Sequence, residues 1–280
     1  MKGVAHRLVL TGASGGLGQA FATALAEHSS AMVLVGRDQG RLDALRQQMS
    51  KQYPALTVRL VAGDLTESRV QRRIVDLSKS VPGPINLLIN AAGINDFESF
   101  DSQSTATIDR LIAVNLLAPI QLTQSLLPLL KKAPRAQVIN VGSIFGYLGY
   151  PGFAVYCATK FGLRGFSQAL RRELSDTEVA VRYFAPRATR TPLTTAAISA
   201  MNRELNTRED TPEHVARMLV KFVAHEGWER KLGFPERLFV FLNHLMPGVN
   251  DRAIRHQLNT IRRHFPGRGQ PPLEHKGVEL

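Results

Sequence analysis

A tyrosine and a lysine stand four residues apart in a stretch with helical periodicity, at Tyr156 and Lys160. Side chains at that spacing share one face of a helix, so the two groups should lie side by side. A tyrosine, with an ordinary pKa of about 10, is a poor acid or base at neutral pH, but a nearby ammonium favours the phenolate and lowers that pKa. The pair therefore indicates general acid–base chemistry. Cys157 points about 100° away around the helix and is interpreted as a packing residue.

A glycine-rich turn offers a place for a phosphate group. The segment Thr11–Gly18 (TGASGGLG) follows the apolar run Leu8–Leu10 directly and precedes a helical pattern. Glycines permit a tight turn and close approach of the backbone to a pyrophosphate, which the N-terminus of a helix attracts with its unpaired N–H groups and its dipole. Glycines also serve turns that bind nothing, but the position between strand and helix favours a dinucleotide site. The expected contacts are Gly12, Ser14, Gly15, Gly16, Leu17 and Gly18.

Short apolar runs alternate with helical stretches along most of the chain. The predicted strands cover residues 8–10, 31–35, 57–61, 85–89, 137–141 and 179–183, with a seventh near 231–234. The predicted helices cover residues 18–27, 38–51, 67–78, 105–130 and 153–174. This order is typical of a doubly wound parallel sheet in a three-layer α/β/α fold. We expect a single domain over 1–234, with a substrate lid near 192–205, and a helical C-terminal extension over 235–280.

Four further motifs occur in a fixed order after the glycine turn. They are Asn90-Ala91-Ala92-Gly93, Asn115, Ser143 and Tyr156-Cys157-Ala158-Thr159-Lys160. Together with the turn, this set resembles the signature of the short-chain dehydrogenase/reductase family over about residues 5–192. The resemblance implies a Rossmann-like fold and a nicotinamide-dependent oxidoreductase of the alcohol dehydrogenase type, which transfers a hydride between the cofactor and a carbonyl or an alcohol.

The resemblance also implies a role for each of four side chains. Tyr156 would be the proton donor, and Lys160 would lower its pKa and hold the cofactor ribose. Ser143 would polarise the substrate carbonyl, and Asn115 would support a water relay. The cofactor would carry the hydride chemistry, while these residues supply position and charge.

The end of the second predicted strand bears on which nicotinamide cofactor is bound. Dinucleotide-binding folds that select NAD carry an acidic residue there, whereas this chain has Gly36, followed by Arg37 and Asp38. The missing carboxylate and the available guanidinium favour a 2′-phosphate, so we expect NADP(H) over NAD(H). The alternative is that Arg37 is a solvated loop residue and that Asp38 only caps the next helix.

The resemblance adds further cofactor contacts. Those near the adenine and along the nucleotide are Asp64, Leu65, Asn90, Ala91 and Gly93, and Thr191 would contact the nicotinamide carboxamide. Two positions depart from the family pattern. Ala91 stands where a second asparagine is usual. Pro186-Arg187 stands where Pro-Gly is usual, and the arginine in place of glycine puts the local backbone shape there in question.

Composition limits the function classes. With 280 residues, 44% hydrophobic and 21% charged, the chain is an ordinary globular protein and is not disordered. Its one cysteine excludes an internal disulfide and a Cys-rich zinc site, and no metal is expected. The net charge of +12 favours acidic partners, but the basic runs of nucleic-acid modules are missing, so none is expected there. No uncharged apolar run reaches roughly 18 residues, so we expect a cytoplasmic protein with no membrane-spanning helix.

The substrate end of the chain is rich in apolar side chains. Phe145, Tyr147, Leu148, Tyr150 and Phe153 are interpreted as a pocket wall, and Leu193, Ile198 and Met201 as the inner side of the lid. This lining predicts a small apolar ketone or aldehyde as substrate, with reduction as the favoured direction. One alternative is a non-catalytic NADP(H)-binding sensor or scaffold. Another is a β-ketoacyl reductase acting on an acidic carrier protein, which Arg164, Arg171 and Arg172 would suit.

The C-terminal extension shows two amphipathic stretches. Leu238, Phe241, Leu242 and Leu245 recur at helical spacing, and Ile254, Leu258, Ile261 and Phe265 share a face of a second helix. Five arginines and no acid lie between Arg252 and Arg268, so the second helix could contact an anionic membrane. Packing against the body or against a second subunit is the favoured alternative. The family resemblance implies a homo-oligomer, a dimer or a tetramer, and residues 267–280 are expected to be a loose tail.

Overall fold

Seven parallel strands form one sheet in the computed structural model, which describes residues 5–266. The strands are β1 His6–Thr11, β2 Ser29–Gly36, β3 Thr57–Ala62, β4 Leu87–Asn90, β5 Ala136–Val141, β6 Val179–Ala185 and β7 Glu229–Lys231. Their order is β3-β2-β1-β4-β5-β6-β7, so the direction of winding reverses between β1 and β4. This confirms the predicted doubly wound α/β fold. In such sheets ligands bind at the carboxyl ends of the strands beside that reversal.

Helices cover both faces of the sheet. They are α1 Gly16–Ala26, α2 Gln39–Gln52, α3 Ser68–Ser80, α4 Thr105–Ile112, α5 Ala118–Leu130, α6 Ala154–Glu173, α7 Ala196–Glu204, α8 Pro212–Ala224, α9 Phe234–Leu245 and α10 Pro247–Arg263. Successive side chains of a strand point to opposite faces. Leu8 and Leu10 of β1 accordingly pack with α1, α2 and α8, while Val9 packs with α3 and α5. The two faces are the two halves of the core.

The helix α8 is missing from the sequence-based prediction. Thr211 caps it by accepting a hydrogen bond from the His214 N–H at 3.2 Å, and Pro212 is its first residue. A threonine cap followed by proline is a recognisable helix start. The helix buries Leu219 and Phe222 against the same face of the sheet as α1.

The predicted helix over 105–130 is interrupted by a π-helical segment at Ala113–Leu117. By length and composition, Thr105–Leu130 is the one helix among the described residues that could cross a membrane. The apolar side of this helix packs against the sheet, because Leu122, Leu126 and Leu130 are fully buried in the core.

The C-terminal extension begins at α9, beside the predicted boundary at residue 234. Ile261 of α10 and Phe265 just after it are buried against Phe97 and Phe153, so the apolar face of α10 packs on the body. This is the alternative that the sequence favoured for that helix. The predicted loose tail at 267–280 lies outside the described residues.

Candidate active site

The glycine turn brings the ends of β1 and β4 close together. Gly12 has a positive φ of 74°, and a Cβ on it would lie 2.9 Å from the Ala91 carbonyl oxygen. A Cβ on Gly18 would lie 2.0 Å from the Gly12 carbonyl oxygen. The Thr11 hydroxyl accepts hydrogen bonds from the N–H groups of Ala91 and Ala92, each at 3.0 Å. These contacts allow only glycine at positions 12 and 18.

The first turn of α1 presents a positive pole to the space above the sheet. No side chain caps this helix, and its first turn carries no acidic residue. The end of β2 must be a glycine at position 36, because a Cβ there would lie 2.4 Å from the Ser14 hydroxyl oxygen. Any side chain at position 36 would therefore collide with Ser14.

One large pocket of about 910 Å³ lies at the carboxyl ends of the strands. The predicted site residues that line it are Gly12, Ser14, Gly15, Gly16, Leu17, Gly18, Arg37, Asp64, Leu65, Ala91, Gly93, Ser143, Tyr156, Lys160 and Thr191. Asn90 and Asn115 are buried behind the wall instead. Of the described residues, no group of three or more His, Cys, Asp or Glu side chains is arranged to hold a metal ion.

Tyr156 and Lys160 lie on the pocket side of α6. The Lys160 Nζ is 5.6 Å from the centre of the Tyr156 ring and donates to the Val141 carbonyl at 3.2 Å. Burial raises the pKa of Tyr156 to about 12, although a hydrogen bond with Ser143 works against that shift. Burial also lowers the pKa of Lys160 to about 8. The expected lowering of this pKa by Lys160 stays a prediction, because burial of the phenol sets the direction of the shift in this structure.

Ser143 follows β5 in an extended conformation. Its hydroxyl accepts a hydrogen bond from the Phe145 N–H at 3.1 Å, which starts a short 3₁₀ turn at Ile144–Gly146. The Ile144 N–H donates to the Pro186 carbonyl at 3.1 Å, so this turn is fastened to the loop that follows β6.

A tyrosine that the sequence analysis treated only as part of a strand forms the floor beneath these groups. The hydroxyl of the fully buried Tyr183 accepts from the Ser143 N–H at 3.4 Å and donates to the Lys160 carbonyl at 3.1 Å. Gly142 and Gly146 leave room for the Tyr183 ring. A Cβ on Gly142 would lie 2.0 Å from the Tyr183 hydroxyl oxygen, and a Cβ on Gly146 would lie 2.3 Å from it. Tyr183 thus joins the serine turn to the helix that carries Tyr156.

Replacing Gly142 with alanine should destabilise the protein by about 3 kcal/mol, because the added methyl group has no room beside a buried ring. Chemical denaturation would measure the loss. Gly149 is the matched control, since an alanine Cβ there meets no atom within 4 Å. Equal stability of the Gly142→Ala and Gly149→Ala variants would contradict this account of the floor.

The two asparagines brace the site from behind. Asn115 lies in the π-helical segment, and its side chain accepts from the Ile94 N–H at 2.9 Å and donates to the Ile94 carbonyl at 2.8 Å. It thereby holds the loop after β4. Asn90 donates to Asn140 at 2.8 Å and to Thr123 at 3.1 Å, which ties β4 to β5 and α5.

Charged side chains crowd the far end of the pocket. Arg37 and Arg41 both line it, and Asp38 caps α2 by accepting from the Arg41 N–H at 3.0 Å. Asp38 therefore does cap the next helix, and Arg37 is also at the pocket. Burial raises the pKa of Asp64, but hydrogen bonds from Arg110 and Thr66 outweigh it and hold that pKa at about 2. The sequence analysis missed Arg41 and Arg110. Arg41 lies in the first turn of α2, close in sequence to the end of β2, which is a signal that could have revealed it.

Aromatic rings form the opposite wall. The ring of Phe145 lies 5.2 Å from Tyr150, 5.3 Å from Phe153 and 6.3 Å from Tyr156, measured between ring centres. Leu148, Leu193, Ile198 and Met201 line the pocket as predicted, and Phe239 of α9 was missed. Tyr147 was wrongly placed in this wall, because it is buried behind it and donates to Glu229 at 2.8 Å.

Arg187 fills the position where a glycine is usual without backbone strain. Among the described residues the positive φ values outside glycine belong to Arg135 and Asn206, so Arg187 has an ordinary conformation. Its guanidinium holds Asp210 at 3.0 Å and 2.7 Å and approaches Glu236 at 3.4 Å. The residue joins the loop after β6 to the starts of α8 and α9.

Comparison with curated proteins finds relatives among oxidoreductases. An uncharacterized oxidoreductase of Staphylococcus epidermidis is 34% identical over 189 residues, which are 66% of this chain and 79% of that protein. The ketoacyl reductase HetN of Nostoc is 31% identical over 232 residues, 79% of this chain and 76% of that protein. The 3-ketodihydrosphingosine reductase of Bos taurus is 27% identical over 236 residues, 81% of this chain and 70% of that protein.

Solved structures share the fold. A short chain dehydrogenase/reductase from Burkholderia phymatum in complex with NAD has a TM-score of 0.79 at 20% identity, covering 89% of this chain and 96% of that one. A short-chain dehydrogenase from Sphingobium yanoikuyae in complex with NADPH has a TM-score of 0.72 at 27% identity, covering 88% of this chain and 95% of that one. The short chain dehydrogenase family profile matches residues 6–202. The match covers most of the chain, and the fold brings the glycine turn together with Ser143, Tyr156 and Lys160. The chain therefore belongs to the short-chain dehydrogenase/reductase family of oxidoreductases.

Proposed function

We propose that the protein is an NADP(H)-dependent reductase of apolar ketones or aldehydes. The observation that carries the proposal is one continuous pocket. It has Ser143, Tyr156 and Lys160 near an aromatic wall, and Arg37 and Arg41 at its other end.

The residues present fit a dinucleotide. Gly12 and Gly18 let the turn pack closely on itself, and Gly15 and Gly16 line the pocket beside the uncapped start of α1, which favours an anion. Lys160 would hold the ribose next to the nicotinamide, and Asp64 and Leu65 would border the adenine. Thr191 lines the same pocket, 3.6 Å from a Cβ built on Gly16, and would contact the carboxamide.

When bound, the reduced nicotinamide supplies the hydride that reduces a carbonyl carbon. Negative charge then develops on the carbonyl oxygen, where hydroxyl donors from Ser143 and Tyr156 stabilise it. Tyr156 gives its proton to that oxygen. A phenol whose pKa burial raises to about 12 keeps its proton at neutral pH, so the hydroxyl is present as a donor. Lys160, with a pKa of about 8, carries a positive charge under the same conditions.

The choice of NADP(H) rests on Arg37, with Arg41 beside it. Replacing Arg37 with alanine should weaken NADPH binding roughly thirtyfold, because a charge-assisted hydrogen bond to the 2′-phosphate is lost. NADH binding should stay nearly unchanged, since NADH lacks that phosphate. Fluorescence titration with both nucleotides would measure this, with Arg46→Ala as the control on the exposed side of α2. Equal weakening for both nucleotides would rule out Arg37 as the source of the preference.

The aromatic wall supports an apolar substrate. Two relatives point the same way by name, one a ketoacyl reductase and one a 3-ketodihydrosphingosine reductase. A panel of apolar ketones and aldehydes tested with NADPH, beside small polar carbonyls, would examine this part. Turnover of the polar compounds alone would contradict it.

Two of the three arginines that would suit an acidic carrier protein are engaged elsewhere, while Arg172 is exposed. Arg164 lies 4.2 Å from the ring centre of Tyr147 and pairs with Glu229, and Arg171 lies 5.3 Å from that of Trp228. This favours free substrates over carrier-bound ones. The intact set of Ser143, Tyr156 and Lys160 also argues against a non-catalytic sensor, which would not need them.

We also propose that the protein is a homo-oligomer. Ile112, Leu117 and Phe161 expose large apolar side chains along α4, the π-helical segment and α6. Such residues are typical of a subunit interface. Light scattering at several protein concentrations would test it, and a monomer throughout would contradict it.

A further inference from the structure

The helix α9 exposes a row of large apolar side chains. Phe234, Leu238, Phe241 and Leu245 are 78%, 49%, 58% and 63% exposed. Their spacing of four, three and four residues puts them on one face of the helix. Met246 and Val249 extend the row into α10 and are about half exposed. We call these six side chains the α9 face.

The opposite side of α9 is anchored to the body. Val240 is buried in the cluster that contains Tyr147 and Tyr183, and Asn243 donates to the Tyr147 carbonyl at 3.2 Å. Glu236 pairs with Arg187 at 3.4 Å. The α9 face therefore points outward because its back is fixed.

The surroundings of the α9 face are basic. Residues 234–263 carry five arginines, namely Arg237, Arg252, Arg255, Arg262 and Arg263. The acids in this range are Asp251 and Glu236, which lies 3.4 Å from Arg187 while that arginine also binds Asp210, and Arg263 pairs with Glu204 of α7. The sequence allowed a membrane contact for the helix that is α10 and favoured packing, and the apolar face of α10 does pack against the body. The unused apolar face belongs to α9, while α10 contributes positive charge.

We propose that the α9 face binds the surface of an anionic lipid bilayer. An amphipathic helix with an apolar face and basic flanks lies flat in the interface, with its apolar side chains among the acyl chains and its arginines near the phosphates. A second copy docked on the same face would bring the two sets of arginines together, since a twofold interface pairs each patch with itself. Like charges oppose that arrangement, whereas an anionic bilayer meets them with opposite charge.

The position of α9 links this surface to the pocket. Pro235 and Phe239, on the flank of the same helix, line the pocket. A protein docked through the α9 face would hold the pocket beside the bilayer, where apolar carbonyl compounds accumulate. This last step rests on the proposed function, while the docking itself does not.

Vesicle co-sedimentation tests the docking without nucleotide or substrate. The full chain is mixed with vesicles of equal parts phosphatidylcholine and phosphatidylglycerol, or of phosphatidylcholine alone. The test variant carries Phe241→Glu and Leu245→Glu. The control is Phe100→Glu, which places the same charge on another apolar side chain that is 65% exposed. Thermal melting checks each fold, and Phe234→Gln replaces the test variant if the double substitution lowers the melting temperature.

We expect the wild type and Phe100→Glu to sediment with the anionic vesicles and only weakly with phosphatidylcholine. The α9 variant should lose at least tenfold in binding. No binding of the wild type to the anionic vesicles would overturn the proposal, and so would equal binding of the α9 variant. A wild type that binds no vesicle and an α9 variant that dissociates into smaller particles would assign the face to a subunit contact instead. A lack of NADPH turnover would affect the proposed function alone.

Discussion

The Tyr156→Phe variant should lose turnover roughly a thousandfold and keep its affinity for NADPH. Phenylalanine preserves the ring that packs against Phe145 and Phe153 and removes only the hydroxyl. General acid catalysis by a positioned side chain typically contributes two to four powers of ten, and the lost donor to the carbonyl oxygen adds to that. Steady-state rates with an apolar ketone, beside a fluorescence titration with NADPH, would measure both quantities.

Tyr150 provides the matched control for this variant. It lies in the same aromatic wall, and its hydroxyl donates to Gln257 at 3.1 Å, away from Ser143 and Lys160. Tyr150→Phe should therefore change the rate only slightly. If both variants lose the same activity, or if Tyr156→Phe retains most of it, Tyr156 is not the proton donor.

The Lys160→Met variant should lose at least a hundredfold in turnover and yet unfold less readily than the wild type without nucleotide. Burial lowers the pKa of Lys160 from 10.5 to about 8, so a charged lysine there costs folding free energy. Below pH 8 both the folded and the unfolded chain hold this proton, and the full cost is present. After subtracting the lost hydrogen bond to the Val141 carbonyl, removal of that charge should stabilise the protein by about 2 kcal/mol at neutral pH.

The lowered pKa of Lys160 also makes the stability of the wild type depend on pH in a way that the Lys160→Met variant should not. Between pH 8 and 10.5 the unfolded lysine binds more proton than the folded one, so the stability contributed by this group rises with pH across that window. Lys160→Met should lack the rise, and the wild-type rate of reduction should fall as the pH passes above about 8. Denaturation curves at several pH values would show it. A variant that is less stable than the wild type at neutral pH would contradict the argument.

The alternation of strands and helices could be predicted from the sequence, because parallel strands that are buried on both sides appear as short apolar runs separated by helices. The sequence also indicated the glycine turn and the pairing of Tyr156 with Lys160, because both depend on local structure, whereas Ser143 came from the resemblance to the short-chain dehydrogenase/reductase family. It missed α8, although Thr211 and Pro212 mark its start. The start of α8 could therefore have been predicted, because a threonine cap followed by proline is a local signal.

Other features could not be found from local pattern. Tyr183 lies on a strand 40 residues after Ser143, and only the pairing of β5 with β6 brings its hydroxyl beneath the serine turn. Arg187 depends on Asp210 and Glu236, which are 23 and 49 residues away. The burial that raises the pKa of Tyr156 could not be foreseen either, because helix spacing shows a neighbour's charge but not the depth of burial. Tertiary packing likewise determines that α10 buries its apolar face whereas α9 exposes one.

Hydride transfer itself is the most direct test of the central claim. NADPH carrying deuterium at the transferred position would be incubated with the protein and an apolar ketone, and the alcohol would be analysed by mass spectrometry. We expect deuterium on the carbinol carbon with the wild type and almost none with Tyr156→Phe. Tight binding of NADPH with no deuterium in any product across the panel of carbonyl compounds would contradict the reductase and support a protein that only binds the nucleotide.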